Sequence, residues 1–397
     1  MAGKLTFPGR LGVQQRVLPS YRAPFFEELA AACQGGLSVF AGQPLKEENI
    51  PQAERLETAQ YVRAVNHHIL RPNSALYQCW QSGFVAWLEA WQPEALIVEA
   101  NPRYLSTPRA VSWMHQRGRP VIGWGLGAQP LSGLLAALRR QQRRKFLLAL
   151  DGVIAYSQRG AQEYCALGFP GERVFVAPNA TSPKPGKPAP LRPPAFIGRP
   201  RVLFVGRLQE RKRVDNLLRA CAGLPEELQP EVWVVGDGPA REALESLAGQ
   251  IYPRAEFPGS RFGAELEGYF TAADLFVLPG TGGLAVQQAL AYGLPVIAAQ
   301  GDGTQEDLVR AGGYSRAGEY SRPENGWRLP ADDLPALQAA LQAALSDPAR
   351  LRRMGAESYR IAVEEANLEK MVEVFVQALS SVRDLSKKQG HGVSTIA

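Results

Sequence analysis

Between Ala100 and Leu150 the chain has no acidic residue, yet the same stretch carries Arg103, Arg109, Arg117, Arg119 and the cluster Arg139, Arg140, Arg143, Arg144 and Lys145. A one-sign field of this kind attracts anions: nucleic acid, acidic lipid head groups or a phosphorylated substrate. Cysteine is scarce too. Cys33, Cys79, Cys165 and Cys221 include no CxxC pair, which argues against a metal or disulfide framework and fits free thiols in a reducing compartment. Four histidines exclude a His-rich metal site. No run approaches the roughly 18 apolar residues of a membrane span, and residues 1–12 lack the apolar core of a secretory signal. A cytoplasmic protein is expected. What remains is ordinary globular composition: 397 residues, 45% hydrophobic, 21% charged, net charge +6. That length accommodates two domains, each with its own core.

Proline punctuates the chain near its middle. "PNATSPKPGKPAPLRPPAFIGRP" (Pro178–Pro200) cannot hold a sheet or helix and predicts an extended, stiff connector. The expected organisation is a first domain over residues 1–180, a linker over 181–199 and a second domain over 200–365. A helix over 366–385 can cross back to the first domain, and a polar tail over 386–397 is expected to be disordered.

Beyond the linker, short apolar runs alternate with amphipathic segments. "RVLFVG", "EVWVVG", "AEFPG", "DLFVLPG" and "PVIAA" read as strands, with helices over 214–222, 240–248, 264–273 and 284–292 between them. The first half has strand-like runs at 14–19, 37–42, 94–100, 120–125 and 152–157. Strand, helix, strand at this spacing predicts α/β, doubly wound domains with parallel sheets. Two such halves on a hinge imply a cleft, with ligand loops at the strand carboxyl ends.

Two motifs carry chemistry. In "LPGTGGLAVQQALAYGLPVIAA" (Leu278–Ala299) a glycine turn separates a strand from a helix, so Gly282, Gly283 and Leu284 offer backbone N–H groups at a helix N-terminus, a setting that binds phosphate. "FVGRLQERK" puts Arg207 and Lys212 just past a strand end. Two cations converging there would neutralise a diphosphate and stabilise it as a leaving group. A ligand-free turn and a solvated basic loop remain alternatives. So does a dinucleotide fingerprint in Gly280-x-Gly282-x-x-Ala285 with Asp302 beyond it, which would suit an NAD-dependent oxidoreductase.

Taken with "VVGDGP", "EFPGSRF…ELEGYFTAADLFVLPG" and "ALAYGLPVIA", these residues resemble the retaining, GT-B fold glycosyltransferases of family 4 (glycosyl transferases group 1). The resemblance covers nearly the whole chain. It implies two Rossmann-like domains facing a cleft and a nucleotide-diphosphate-sugar donor. Arg207 and Lys212 would be the catalytic pair on the departing diphosphate. Gly206, Thr281, Gly282, Gly283, Leu284 and Gln288 would hold the donor, and Arg261 and Phe262 would face its base. It implies no metal and no cofactor, since the cations and the helix dipole take a metal's place, and no enzyme nucleophile. The departure is that two glutamates usual in the family, eight residues apart, are here Gly280 and Gln288. Gln288 still offers a donor and an acceptor; Gly280 offers only backbone. A nucleotide-sugar-binding subunit without catalysis is therefore the alternative.

The acceptor would lie on the first domain, near Arg16, Arg22, Trp124 and His115; a core role is as compatible with the sequence for Trp124, and an ordinary helix role is the favoured reading of His115. The acceptor class implied is a glycan or a lipid-linked molecule, in cell-surface polysaccharide or glycolipid assembly. Leu131, Leu134, Leu135 and Leu138 at helical spacing, followed by the basic cluster 139–145, suit peripheral contact with an anionic membrane; a helix with a solvated basic face is the other reading. No nucleic-acid-binding module is evident.

Overall fold

The computed structural model describes residues 5–391 except 49, 71–73, 75, 132, 134, 283 and 312–322, and for residues 386–391 the backbone alone. The chain divides into two compact units, residues 1–181 with 368–397, and residues 182–367.

The first unit runs β1 (Leu11–Val17), α1 (Ala23–Ala31), β2 (Leu37–Gly42), β3 (Gln60–Arg63), β4 (Val65–Ile69), β5 (Gln78–Ser82) and α2 (Phe84–Trp91). It continues with β6 (Ala95–Glu99), α3 (Thr107–His115), β7 (Val121–Gly125), α4 (Ala136–Leu148), β8 (Gly152–Ala155), α5 (Gln158–Ala166) and β9 (Val174–Val176). Seven strands form one parallel sheet in the order β3-β2-β1-β6-β7-β8-β9. Strands β4 and β5 pair antiparallel beside it. Every residue of β2 and β8 is buried, as expected for apolar strands covered on both faces.

The second unit runs β10 (Arg201–Val205), α6 (Val214–Ala222), β11 (Glu231–Val235), α7 (Arg241–Ile251), β12 (Ala255–Gly259), α8 (Gly263–Ala272) and β13 (Leu275–Leu278). It ends with α9 (Leu284–Ala291), β14 (Val296–Ala299), α10 (Thr304–Leu308), β15 (Gly326–Leu329), α11 (Leu334–Leu345) and α12 (Pro348–Glu364). Its six strands are parallel in the order β12-β11-β10-β13-β14-β15. Val202, Leu203, Phe204, Phe276 and Val277 are fully buried in its core. The chain order reverses between β10 and β13, and in the first unit between β1 and β6. In open α/β sheets ligands bind at the strand carboxyl ends at such reversals.

The proline-rich stretch counts with the second unit from Ser182 onward. It has no regular element, but Arg192 anchors it by donating to the carbonyls of Phe270 (2.9 Å), Ala273 (2.7 Å) and Tyr292 (2.9 Å). These oxygens end α8 and α9, where helix dipoles favour a cation. Burial, with Arg352 nearby, pushes the Arg192 guanidinium down to about 10.

Helix α13 (Leu368–His391) returns to the first unit and packs on α1 and β8. The tail expected to be disordered from residue 386 is therefore helical as far as His391; residues 392–397 lie outside the described residues. Among the described residues no helix is long and apolar enough to cross a membrane.

Candidate functional site

Strands β11, β10 and β13 are neighbours, and the loops leaving their carboxyl ends pack backbone on backbone. A Cβ on Gly236 would lie 1.9 Å from the Gly206 carbonyl oxygen, and one on Gly238 would lie 2.3 Å from that of Leu208. Leu208 N–H donates to Asp237 O (2.9 Å) and Gly206 N–H to Val235 O (3.0 Å). On the other side Thr281 N–H donates to Arg211 O (3.0 Å). A Cβ on Gly280 would come within 2.3 Å of that same oxygen and 2.6 Å of Lys212 O. Glycine is required here by close approach. The segment carrying Arg207 and Lys212 is thus clamped between two glycine loops, at the chain reversal.

Lys212 closes the clamp. Its side chain is 7% exposed, and Nζ donates to Thr281 O at 2.8 Å. A Cβ on Gly282 would sit 2.8 Å from the same Nζ. Burial, reinforced by Arg211 and only partly offset by Asp302, pushes the Lys212 ammonium down to about 8. A buried cation bonded to a neutral carbonyl is an electrostatic vacancy that an anion fills favourably.

Arg207 stands differently. It is exposed and has no hydrogen bond or ion pair among the described residues. A pocket of about 310 Å³ beside the clamp is lined by Glu210, Arg211, Pro279, Gly280, Thr281 and Gln300 among others, but by neither Arg207 nor Lys212. The structure brings Lys212, Thr281 and Gly282 together. Leu284 opens α9, and Gln288 lies half-buried one turn on. Gly283 lies outside the described residues. Arg261 pairs with Glu265 (3.4 Å), and Phe262 is 79% exposed past edge strand β12.

Two members of the site escaped sequence reasoning. Arg211, read there as part of a basic turn, reaches Thr281 Oγ1 at 3.3 Å. Gln305, in α10, is buried; its Nε2 donates to Gly282 O at 3.0 Å while its Oε1 has no partner among the described residues. No local motif marks Gln305, because only the fold carries it to Gly282. Among the described residues no group of three His, Cys, Asp or Glu could hold a metal.

The structure gives each residue expected on the acceptor side a partner within the first unit, and for Trp124 it selects the core role over the sugar-stacking one. Trp124 is 1% exposed and sits among Phe375 (5.0 Å between centroids), Phe25 (5.3 Å) and Tyr156 (5.4 Å). No sugar can stack on a ring enclosed in this way. Arg22 is buried over Trp124 at 5.2 Å and donates to Ala180 O and Asn179 Oδ1. His115 Nε2 lies 2.9 Å from Asp151 Oδ2, a bond that raises its pKa. Arg16 is clasped by both Glu48 oxygens, at 2.9 and 2.7 Å. The chain reversal of this unit holds a carboxyl that the sequence reading passed over. Glu99, at the end of β6, accepts from Arg16 N–H (2.5 Å), and burial raises its pKa.

With this geometry in place, both units are Rossmann-like and the fold is that of the GT-B glycosyltransferases. Residues 199–347, all within the second unit, match the family described as glycosyl transferases group 1. The GDP-mannose-dependent alpha-mannosyltransferase of Mycobacterium tuberculosis is 39% identical over 128 residues, 31% of this chain and 32% of that protein. The match thus spans about a third of that relative's length. A D-inositol 3-phosphate glycosyltransferase of Kineococcus radiotolerans is 26% identical over 377 residues, 87% of this chain and 80% of its own. Among solved structures, the lipopolysaccharide outer core galactosyltransferase WaaB superposes with a TM-score of 0.67 at 14% identity, covering 94% of this chain and 99% of that one. Anabaena HepE in complex with UDP gives 0.66 at 16% identity, covering 94% and 99%.

Proposed function

We propose that the chain is a retaining glycosyltransferase that moves a sugar from a nucleotide-diphosphate-sugar donor to a glycan or lipid-linked acceptor, in cell-surface polysaccharide or glycolipid assembly. The observation that carries this reading is the clamp at the β10–β13 reversal, where buried Lys212 meets the Thr281–Gly282 loop beside an uncommitted Arg207. The donor's diphosphate would take the place opposite Lys212 and Arg207, and their charge would offset the charge that develops as the sugar leaves. Two cations serving this role make a metal and a further cofactor unnecessary. Front-face substitution needs no enzyme nucleophile. The relatives' names support the donor class: several are GDP-mannose-dependent, and HepE was solved with UDP-glucose. The setting would be the cytoplasmic face of a membrane, with the basic segment 139–145 toward anionic lipid.

Gly280 favours a second reading, a nucleotide-sugar-binding subunit without turnover. A thermal-shift screen of nucleoside diphosphates and their sugars, followed by turnover assays of the best pair, decides between them. A ligand at 100 times its dissociation constant stabilises by about 2.7 kcal/mol. Stabilisation by one nucleoside diphosphate and its sugar, with turnover lost in Arg207→Ala, supports the transferase. Stabilisation without turnover by the wild-type chain supports the subunit. Stabilisation by NAD alone would overturn both.

A further inference from the structure

Past the carboxyl ends of β6 and β7, the first unit contains a pocket of about 790 Å³. Ligand pockets run from roughly 300 to 1,000 Å³. Its walls are largely apolar, with Leu76, Tyr77, Leu105, Val111, Leu131 and Phe146 contributing. Four cations also line it, Arg103, Arg139, Arg143 and Lys145, and no carboxylate does. Three of the four come from α4, where positions 139, 143 and 146 fall on one face. None of the four is in an ion pair among the described residues.

Arg143 records the crowding. Burial and then the neighbouring Arg103 hold its guanidinium below the usual value, and it donates to the neutral carbonyl of Gln129 (2.7 Å). Several of its apolar side chains also face water: Ile69 is 45% exposed, Leu70 56% and Leu76 61%. Exposed apolar surface gathered about one cavity marks an interaction site. Cations alone would suit a free phosphate, and apolar walls alone a neutral ligand. Both in one pocket select a molecule with an anionic head and an apolar chain.

We propose that this pocket binds one anionic lipid, its chain against Leu105, Val111 and Phe146 and its phosphate-type head among Arg103, Arg139 and Arg143, as the acceptor. Its role as acceptor rests on the transferase reading; the binding does not. A bound lipid head at this place stands just past β6, beside the reversal at which the first unit is expected to hold its ligand.

The test is calorimetry on the full chain with decyl phosphate below its micellar concentration, against decyl maltoside and inorganic phosphate. One decyl phosphate per chain is expected, bound at least tenfold more tightly than either control. Arg139→Ala with Arg143→Ala, and separately Leu105→Asp, should each weaken it at least tenfold. Leu105 is exposed at the surface, so its replacement leaves the fold intact, and retained stabilisation by a nucleoside diphosphate checks this. Equal binding of decyl maltoside, or indifference to Leu105→Asp, would overturn the proposal. So would binding to phosphatidylglycerol vesicles with none to monomeric decyl phosphate, or self-association of the chain that covers the pocket. Decyl phosphate binding without nucleotide binding would uphold the pocket and sink the transferase reading; the reverse result would sink the pocket alone.

Discussion

Lys212 Nζ donates to the carbonyl oxygen of Thr281 across 2.8 Å, joining the turn after β10 to the glycine loop after β13 by a side chain as well as by backbone. The ammonium is buried and held down to about 8, so its charge is unwelcome until an anion arrives.

A pH dependence follows. In the unfolded chain lysine titrates near 10.4, so between about pH 8 and that value the folded state sheds this proton first. The unliganded fold should gain stability from this group as pH rises through that window, and below pH 8 the cost of the buried charge is constant. Nucleoside diphosphate affinity should run the other way, because the bound anion favours charged Lys212. It should be greatest below pH 8 and fall above it, by up to about tenfold per unit. Calorimetric titrations at pH 7, 8, 9 and 9.5 measure this, and Lys212→Met should bind weakly with a flat profile. A flat wild-type profile would show that Lys212 does not meet the diphosphate.

Gly280 occupies the position where the resemblance expects a glutamate, and the backbone explains why none fits. A Cβ there would meet Arg211 O at 2.3 Å and the Lys212 carbonyl carbon at 2.5 Å, both main-chain atoms that cannot swing aside. Gly280→Glu should therefore destabilise the second unit, by roughly 1–3 kcal/mol as for other overpacked sites, and weaken nucleotide binding by opening the clamp. Gly280→Ala should do the same, since the clash begins at Cβ. Urea denaturation with and without nucleoside diphosphate reads both effects. Unchanged stability with tighter donor binding would mean that the loop accepts a carboxylate after all.

The parts of the fold legible in the sequence were those whose burial is continuous. β10, β11, β13 and β14 are near-unbroken apolar runs, and α6 fell at the expected residues because its apolar positions recur at helical spacing. β4 and β5 (VNHHI and QCWQS) were not legible: they pair with each other, and exposed positions alternate with more buried ones along both. β15 (GWRL) was missed because four residues at a sheet edge carry little periodic signal. At the site, sequence placed Lys212 and the glycine loop at strand ends. It could not show that Lys212 bonds the loop rather than standing free, nor that Gln305 reaches Gly282, because those contacts span 69 and 23 residues. The two readings of Trp124 stayed open for a similar reason. A strand end reads as a ligand edge until α13, arriving some 250 residues later, is seen to cover it.

That cover yields the last prediction. Phe375 is fully buried, and its ring lies 4.9 Å from Phe25 and 5.0 Å from Trp124, edge-on to both. It is the centre of the contact by which α13 closes the first unit. Phe375→Ala should leave a cavity among these rings and cost roughly 3–5 kcal/mol, enough to loosen α13 and expose Trp124. Intrinsic fluorescence should then shift to longer wavelength and become quenchable by acrylamide, and urea unfolding of the first unit should move to lower denaturant. Nucleoside diphosphate binding, proposed for the other unit, should survive under conditions in which the first unit remains folded. If Trp124 served instead as a sugar platform, it would already be quenchable in the wild-type chain, and Phe375→Ala would change quenching little. A wild-type Trp124 that is shielded from acrylamide and becomes accessible only in the variant places it in the core, so that any acceptor the first unit binds must make its contacts elsewhere.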